Sequence, residues 1–379
     1  YYVMNQSVKV GVVGGGQLGM MLTQAADKLG IEITVVDKTP DCPAAQAGAK
    51  QIVADLHDRQ ALKELADATD IITIEIEHVD TEFLAELNKL GKPIYPDPKV
   101  IKTIQDKFTQ KEHFSELGLP VAKYGLVEDI TSAEKLLDNF GGQMIMKRRL
   151  GGFDGRGNMV VNSKQDIEQA FEALGVNDLY AEKMVNFKKE LAIMAGRDIS
   201  GNVSIYPVVE TVQARNICQE VYAPAAVDQA LSHSIEQIAK TILGSYQTAG
   251  MFGIELFLDH DNQILINEVA PRVHNSGHYT IEGCQTSQFE QHLRCITGQP
   301  LGDTKLTRNA VVMVNILGEN NGTVDKQITV TEHPTDTYTH FYGKAETKID
   351  RKMGHITSLA DDFETALKAA RDARGKIKV

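Results

Sequence analysis

Two acidic residues flank the short polar link HDN: Glu255 in GIELFLD and Glu268 in QILINEVA. The alternating apolar pattern on either side predicts a β-hairpin. A two-residue loop at Asp261–Asn262 sets the glutamates directly opposite on one face, and moving that loop back one residue leaves them diagonal neighbours on the same face. A three-residue loop would split them across faces. Facing carboxylates repel unless a cation lies between them, and hard oxygen ligands at this spacing suit Mg²⁺ bound together with a phosphate chain. The alternative is two solvated glutamates on a surface hairpin.

The next segment, APRVHNSGHYT, crowds Arg272, His274, Asn275, Ser276 and His278 around Gly277. An arginine fork matches a carboxylate or phosphate, and the amide and hydroxyl add donors. Directly after an acidic strand this reads as a site, with a hydrogen-bonded structural loop as the alternative. In MIMKRRLGGFDGRGN, Lys147 ends an apolar strand and four glycines follow, Gly151, Gly152, Gly155 and Gly157. Such a turn can close over phosphates with its N–H groups, although the Walker spacing is absent. A flexible hairpin tip would look the same. In LYAEKMVNFKKELAI, Glu182, Lys183, Met184, Val185 and then Glu190 could hold a purine and its ribose. Acidic residues near strand ends are also commonly just solvated.

Near the start, Gly14, Gly16 and Gly19 of GVVGGGQLGMM stand at G-x-G-x-x-G spacing after a β-branched run, and ITVVD ends in Asp37. This pattern suggests a dinucleotide site. A helix N-terminus beside glycines attracts an anion whatever the anion is, and Gln17 adds a side-chain amide there.

The elements that position these residues follow from periodicity. Residues 8 to about 95 alternate strand and helix in the manner of a small doubly wound sheet, DIITIEIE being one strand, and end at the proline-punctuated GKPIYPDPKV. Strands and helices then lead to the Glu255–Glu268 hairpin and a helical segment near SQFEQHLRCITG. From about Arg308 the chain turns strand-rich and closes on the helix ADDFETALKAARDARG. The expected domains are 1–100, 101–300 (a lid over about 120–182, the remainder 183–300) and 301–379.

The chain has 379 residues, 42% of them apolar, and a net charge of −12, with KRR at 147–149 as its only dense basic cluster. That balance argues against a nucleic-acid binder, and anionic ligands would need local basic groups and a divalent cation. No apolar run is long enough to span a bilayer. No signal peptide is visible in YYVMNQS, and Met4 reads as the natural start. Four scattered cysteines lack C-x-x-C spacing, which fits reduced thiols in a cytosolic enzyme without structural zinc.

Taken in order, GGGQLGMM, TIEIEHVD, KRRLGGFDGRG, AEKMV, INEVAPRVHNSGHYT and YGKAETKIDRKMGH resemble the ATP-grasp superfamily. Within it they are most similar to the N5-carboxyaminoimidazole ribonucleotide synthetases of purine biosynthesis. The resemblance implies a mixed α/β and α+β fold: a Rossmann-like N-terminal domain that binds no dinucleotide, a two-part ATP-grasp region and a small strand-rich C-terminal domain. It implies a cytoplasmic, homodimeric ligase with no nucleic-acid or membrane partner. Such a ligase carboxylates 5-aminoimidazole ribonucleotide through carboxyphosphate, using ATP, Mg²⁺ and bicarbonate.

By the same resemblance, ATP is surrounded by Lys107, Lys147, the loop residues Gly152, Phe153, Gly155, Arg156, Gly157 and Asn158, the Glu182–Val185 segment, Glu190 and Gln213. Glu255 and Glu268 hold Mg²⁺, with Asn267 beside the phosphates. Strict alternation turns Asn267 away from the face of Glu268, so a local twist is required. Arg272, His274 and Asn275 place bicarbonate. Gln17, Glu75, Asp154, Arg156 and Arg272 meet the ribonucleotide, Asp154 with a catalytic part, and Lys344 and Arg351 meet its phosphate. Glu75 and Glu77 point the same way on one strand, so the choice between them stays open. The role of His274, positioning or proton transfer, stays open too. Departures from the family pattern are Phe153 for tyrosine, Arg156 for lysine, Asn158 for glutamine, Lys107 for arginine and Val273 for proline. Competing readings are another ATP-grasp ligase such as a formate-dependent glycinamide ribonucleotide transformylase, a nucleotide-binding regulatory protein without turnover, and a dehydrogenase. The last leaves the glutamate pair and HNSGH unexplained.

Overall fold

The computed structural model describes residues 7–152, 157–324 and 336–379. The first unit alternates β1 (Val8–Val13), α1 (Gln17–Ala26), β2 (Ile31–Asp37), α2 (Pro43–Gln46), β3 (Lys50–Val53), α3 (Arg59–Ala68), β4 (Ile71–Ile74) and α4 (Thr81–Lys89). Its strands are parallel in the order β3-β2-β1-β4. Val10, Val12, Val35 and Val36 are fully buried, as strands covered on both faces require. α3 begins where the Asp58 carboxylate accepts from the Gln60 and Ala61 N–H groups, and it buries the stripe Ala61, Leu62, Leu65 and Ala66. Strand order reverses between β1 and β4, so a crevice opens at their carboxyl ends.

Two expectations are corrected here. The strand predicted over DIITIEIE stops at Ile74, so Glu75 and Glu77 lie on a bent segment beyond it and do not share a strand face. The proline-punctuated segment also joins the sheet, because Ile94 bridges Ile72 in parallel before α5 (Pro98–Gln105) begins.

After α6 (Lys107–Glu116), a four-stranded antiparallel sheet forms from β5 (Tyr124–Val127), β6 (Met144–Arg148), β7 (Asn158–Val161) and β8 (Leu179–Lys183), ordered β5-β8-β6-β7. Helices α7 (Ile130–Asn139) and α8 (Lys164–Leu174) close a separate small core with it, containing Leu137, Met146 and Ile167. The chain then continues through β9 (Phe187–Arg197), β10 (Val203–Ile205), β11 (Val209–Ala214), β12 (Ile217–Ala223), α9 (Gln229–Tyr246), β13 (Gly250–Asp259) and β14 (Ile264–Ala270). Next come α10 (Thr280–Gly283), α11 (Gln288–Thr297), β15 (Ala310–Leu317), β16 (Gly322–Thr323), β17 (Thr337–Phe341), β18 (Glu346–Thr347), β19 (Lys352–Ala360) and α12 (Phe363–Gly375).

Among the described residues, one nine-stranded sheet runs β14-β13-β9-β11-β12-β15-β19-β17, with β10 on β9. β15, β19 and β17 therefore extend the central sheet through β12, while β16 and β18 pair as a separate two-stranded sheet. The first unit docks through apolar surface: Met20, Met21 and Leu22 of α1 share a core with Leu293, Cys295 and Ile296 of α11. Each such side chain contributes about 1.5–3 kcal/mol on burial, so this docking holds the glycine turn beside the central sheet.

Candidate active site

The hairpin decides the carboxylate geometry. Its loop has three residues, His260 to Asn262: Asp259 N–H donates to Gln263 C=O at 3.0 Å, and Asn262 adopts φ 62°. A left-handed residue closing a three-residue loop is a common hairpin solution. Alone, that loop would turn Glu255 and Glu268 to opposite faces. A bulge at Asn267 restores them, because pairing steps from Leu256–Ile266 to Glu255–Glu268 and leaves Asn267 as the extra residue. The bulge sets Glu268 opposite Glu255, and Asn267 itself is not among the residues lining the cleft.

Glu255 and Glu268 line a cleft of about 320 Å³ together with Lys107, Arg272, His274 and Asn275. Lys107, the first residue of α6, reaches Glu268 at 3.0 Å. That ammonium holds the Glu268 carboxyl well below the usual carboxylate range, while burial and the facing Glu268 push Glu255 up. Glu190 pairs with Phe257 across β9 and β13, and burial raises it to about 7.

The four-stranded antiparallel sheet, with α6, brings a second charge cluster. Glu182 is buried between Lys147 at 3.3 Å and Lys111 at 3.5 Å, and accepts from the Tyr180 hydroxyl at 2.8 Å. Burial would raise its carboxyl, but the two lysines outweigh that and bring it to about 2. Its carboxylate therefore holds lysines and is not presented to a base. Lys183 N–H already donates to Lys123 C=O at 2.7 Å, and Met184 lies past the strand end, 38% exposed. Arg149 of the basic cluster is likewise committed: it pairs with Asp106, whose carboxylate caps α6.

At the glycine turn the expected anion is the protein's own. Glu75 accepts from Gly16 N–H at 2.7 Å and Gly19 N–H at 2.6 Å, so its carboxylate fills the N-terminus of α1. Gly14 adopts φ +106°, and a Cβ there would sit 2.4 Å from Glu75 Cγ. Glu77 instead grips Arg272, with Nε–Oε2 at 2.6 Å and Nη2–Oε1 at 3.0 Å. Both glutamates line the cleft, yet their partners differ.

The polar loop is fixed in detail. Gln288 bonds both the N–H and the C=O of His274. The ring Nδ1 of His274 lies 2.8 Å from Ser276 Oγ and accepts from Ser276 N–H at 3.3 Å, which leaves the proton on Nε2. Burial, then the nearby Arg272 charge, lowers its pKa to about 4. Gly253 permits this approach, since a Cβ there would lie 2.6 Å from that of His274. Asn275 exchanges amide hydrogen bonds with Asn315 at 3.0 and 2.8 Å.

A larger cavity of about 890 Å³ adjoins the cleft and shares Gln17 with it. Lys344, Arg351, Asp37 and Gly16 are among its walls. Lys344 Nζ is held by Lys352 C=O at 2.7 Å, and Arg351 Nη1 by Glu346 C=O at 2.7 Å.

Of the residues expected around ATP, the structure brings Lys107, Gly152 and Glu268 into the cleft wall, with Lys147 behind Glu182. Gly157, Asn158, Lys183, Met184, Val185, Glu190, Gln213 and Asn267 are not among its lining residues. Asn158 and the end of β8 face solvent, Gln213 sits at a bulge in β11, and Asn267 is the bulge residue of β14. Phe153, Asp154, Gly155 and Arg156 lie outside the described residues. Sequence reasoning missed Lys111, Gln110, Gln288 and Gly253. Only Gly253 carried a signal, as a glycine inside a strand. Cys284 and Cys295 are buried with thiols raised to about 12, as inert core cysteines are.

This architecture, with its facing carboxylates on a central antiparallel sheet and, beside them, lysines of α6 and Lys147 of a smaller sheet, defines an ATP-grasp enzyme. Family models match accordingly: a ribonucleotide synthetase preATP-grasp domain over 7–105, an ATP-grasp domain over 112–289, and a phosphoribosylaminoimidazole carboxylase C-terminal domain over 311–369. The N5-carboxyaminoimidazole ribonucleotide synthase of Synechococcus elongatus is 39% identical, over 92% of this chain and 88% of that one. The phosphoribosylaminoimidazole carboxylase of Ogataea methanolica is 42% identical over 94% of this chain, which spans 67% of that relative's length. The Aspergillus clavatus N5-carboxyaminoimidazole synthase, solved with ADP and 5-aminoimidazole ribonucleotide, superposes with a TM-score of 0.88 at 37% identity, covering 98% and 99% of the two chains. The chain belongs to the N5-carboxyaminoimidazole ribonucleotide synthase family. No helix among the described residues is long and apolar enough to cross a membrane.

Proposed function

We propose that this chain carboxylates the exocyclic amine of 5-aminoimidazole ribonucleotide, consuming ATP and bicarbonate. The observation that carries this reading is that the two cavities share Gln17 as a wall. A ribonucleotide phosphate held by Lys344 and Arg351 would leave its base beside the cleft that contains Arg272 and His274.

Glu255 and Glu268 present a pair of oxygen-only donors, which fits a hard divalent cation, and the charge of such a cation would favour the ionised form of Glu255. Mg²⁺ held there would offset charge on the phosphate chain. Lys107 and Lys147 would stabilise the terminal phosphate as a bicarbonate oxygen bonds to its phosphorus and the bond to the bridging oxygen of ADP breaks. The resulting carboxyphosphate divides into CO₂ and phosphate beside Arg272. The amine nitrogen then bonds to CO₂ and loses one proton. His274, neutral at pH 7 with its proton on Nε2, suits donation to bicarbonate, which supports the positioning role over the proton acceptor. Gly151 and Gly152 border the cleft, so the glycine loop is the natural barrier to water. Asp154 and Arg156 stand as proposed ribonucleotide contacts of that loop. Glu190, Gln213 and the backbone of Lys183–Val185 stand as proposed nucleotide contacts.

The division at about 100 and 300, the homodimer and a cytoplasmic location belong to the same proposal. Sedimentation velocity tests the dimer.

The deciding assay is ADP release with ATP, Mg²⁺ and bicarbonate, with and without 5-aminoimidazole ribonucleotide. Stimulation by that ribonucleotide is expected, and Glu268→Ala should lower the stimulated rate at least about a hundredfold. Stimulation only by glycinamide ribonucleotide with formate would overturn the substrate. No ATP turnover with any acceptor would overturn the enzyme reading.

A further inference from the structure

β14 is the outer strand of the central sheet, and its outer edge meets α6 and the Val121 bridge to Ile266. Lys111, on α6, is buried with 3% of its side chain exposed. Its ammonium donates to Ile266 C=O at 3.0 Å and to Asn267 C=O at 2.6 Å. Successive carbonyls of a regular strand point to opposite edges, so two of them meeting one ammonium is a mark of the bulge. Beside Lys111, Gln110 bonds both the N–H and the C=O of Val269. Together the two side chains clamp the strand on either side of Glu268. The third Lys111 contact is Glu182 at 3.5 Å, whose other oxygen holds Lys147.

We propose that Lys111 is a positioning residue: it holds open the Asn267 bulge that turns Glu268 toward Glu255, and links that strand to Lys147 of the four-stranded antiparallel sheet through Glu182. The need for it follows from register. With a three-residue hairpin loop, a β14 that relaxed into regular pairing would turn Glu268 to the far face. While the bulge persists the Asn267 carbonyl turns away from β13 to join that of Ile266 at the outer edge, and a buried carbonyl without a donor is costly. One ammonium meets both carbonyls, and its charge is balanced by Glu182.

The inference rests on the proposed Mg²⁺ role of the glutamate pair, so its test reads metal dependence apart from turnover. The measurement is the rise in melting temperature that ATP induces, titrated with Mg²⁺, for the full chain and for Lys111→Met. The variant should need about tenfold more Mg²⁺ for the half-maximal shift, while the shift with ATP and a chelator stays within about twofold, as expected for a residue behind metal ligands. An unchanged Mg²⁺ requirement, or equal losses with and without Mg²⁺, would overturn the proposal, since a purely structural lysine would act on both alike. If Lys111→Met does not fold, Lys111→Gln, which keeps amide donors for the carbonyls, is titrated in its place. A rise of about threefold or more in its Mg²⁺ requirement supports the role, and no rise overturns it. Failure of wild-type protein to use aminoimidazole ribonucleotide would remove the substrate reading and leave this titration interpretable.

Discussion

Glu77→Gln tests whether the grip on Arg272 is electrostatic. Burial pushes the Glu77 carboxyl up, but the Arg272 charge and its hydrogen bonds outweigh burial and hold it below the ordinary value. The pair is bidentate, and its side chains are 17% and 22% exposed. Removing one partner of a fully buried pair costs about 3–5 kcal/mol. With about a fifth of each side chain still wet, and with one carbonyl oxygen retained by glutamine, about 2–3 kcal/mol is expected at pH 7. For a cooperative unit of this size that corresponds to about 3 °C in melting temperature. The sign of the pH dependence follows from the depressed pKa. Glu77 contributes stability above its unfolded value and loses it as pH falls through the folded value. The gap between wild type and variant should therefore be full at pH 7 and shrink below about pH 4.5. Turnover should fall by about a hundredfold, because an arginine displaced by an ångström no longer meets its substrate. A melting gap that stays constant from pH 7 to pH 4 would refute the reasoning and assign the effect to packing.

Gly14→Ala should destabilise the first unit by about 1–3 kcal/mol, because its positive φ and the 2.4 Å approach to Glu75 leave no room for a methyl group. A melting temperature equal to wild type would contradict that geometry. Lys344→Ala should raise the KM for the ribonucleotide by about tenfold or more, as expected for loss of a charge-assisted contact, and leave that for ATP unchanged. Equal rises for both substrates would place Lys344 outside the phosphate pocket.

The strands, the hairpin and the polar loop were legible because periodicity and turn residues report local structure. What was not legible depends on where a pattern stops. Glu75 and Glu77 looked equivalent under a period of two, yet the strand ends at Ile74 and each carboxylate turned to a different partner. The facing of Glu255 and Glu268 arises from two compensating irregularities, the left-handed Asn262 and the bulge at Asn267. Asparagine tolerates both conformations, but neither position announces its conformation in sequence. Gln110 and Lys111 defeated reading altogether. Adjacent polar residues on a helix are expected in water, and these are buried only because an edge strand more than a hundred residues later packs against them.

The same distinction explains the misleading glycine pattern. G-x-G-x-x-G specifies a tight turn with converging N–H groups at a helix start, and says nothing about which anion fills them. Here Glu75 reaches back from beyond β4 and occupies two of those donors at 2.7 and 2.6 Å. A dinucleotide pyrophosphate would have to displace that carboxylate and then lie close to Asp37, which accepts from Gly15 N–H in the same turn. Two phosphates added to these two carboxylates, whose hydrogen-bond partners here are backbone N–H groups, would be electrostatically unfavourable. Displacing Glu75 would also free a half-buried carboxylate with no other described hydrogen-bond partner. The turn thus works against a dinucleotide while still presenting Gln17 to both cavities, and the cations that could hold a phosphate, Lys344 and Arg351, come from the far end of the chain.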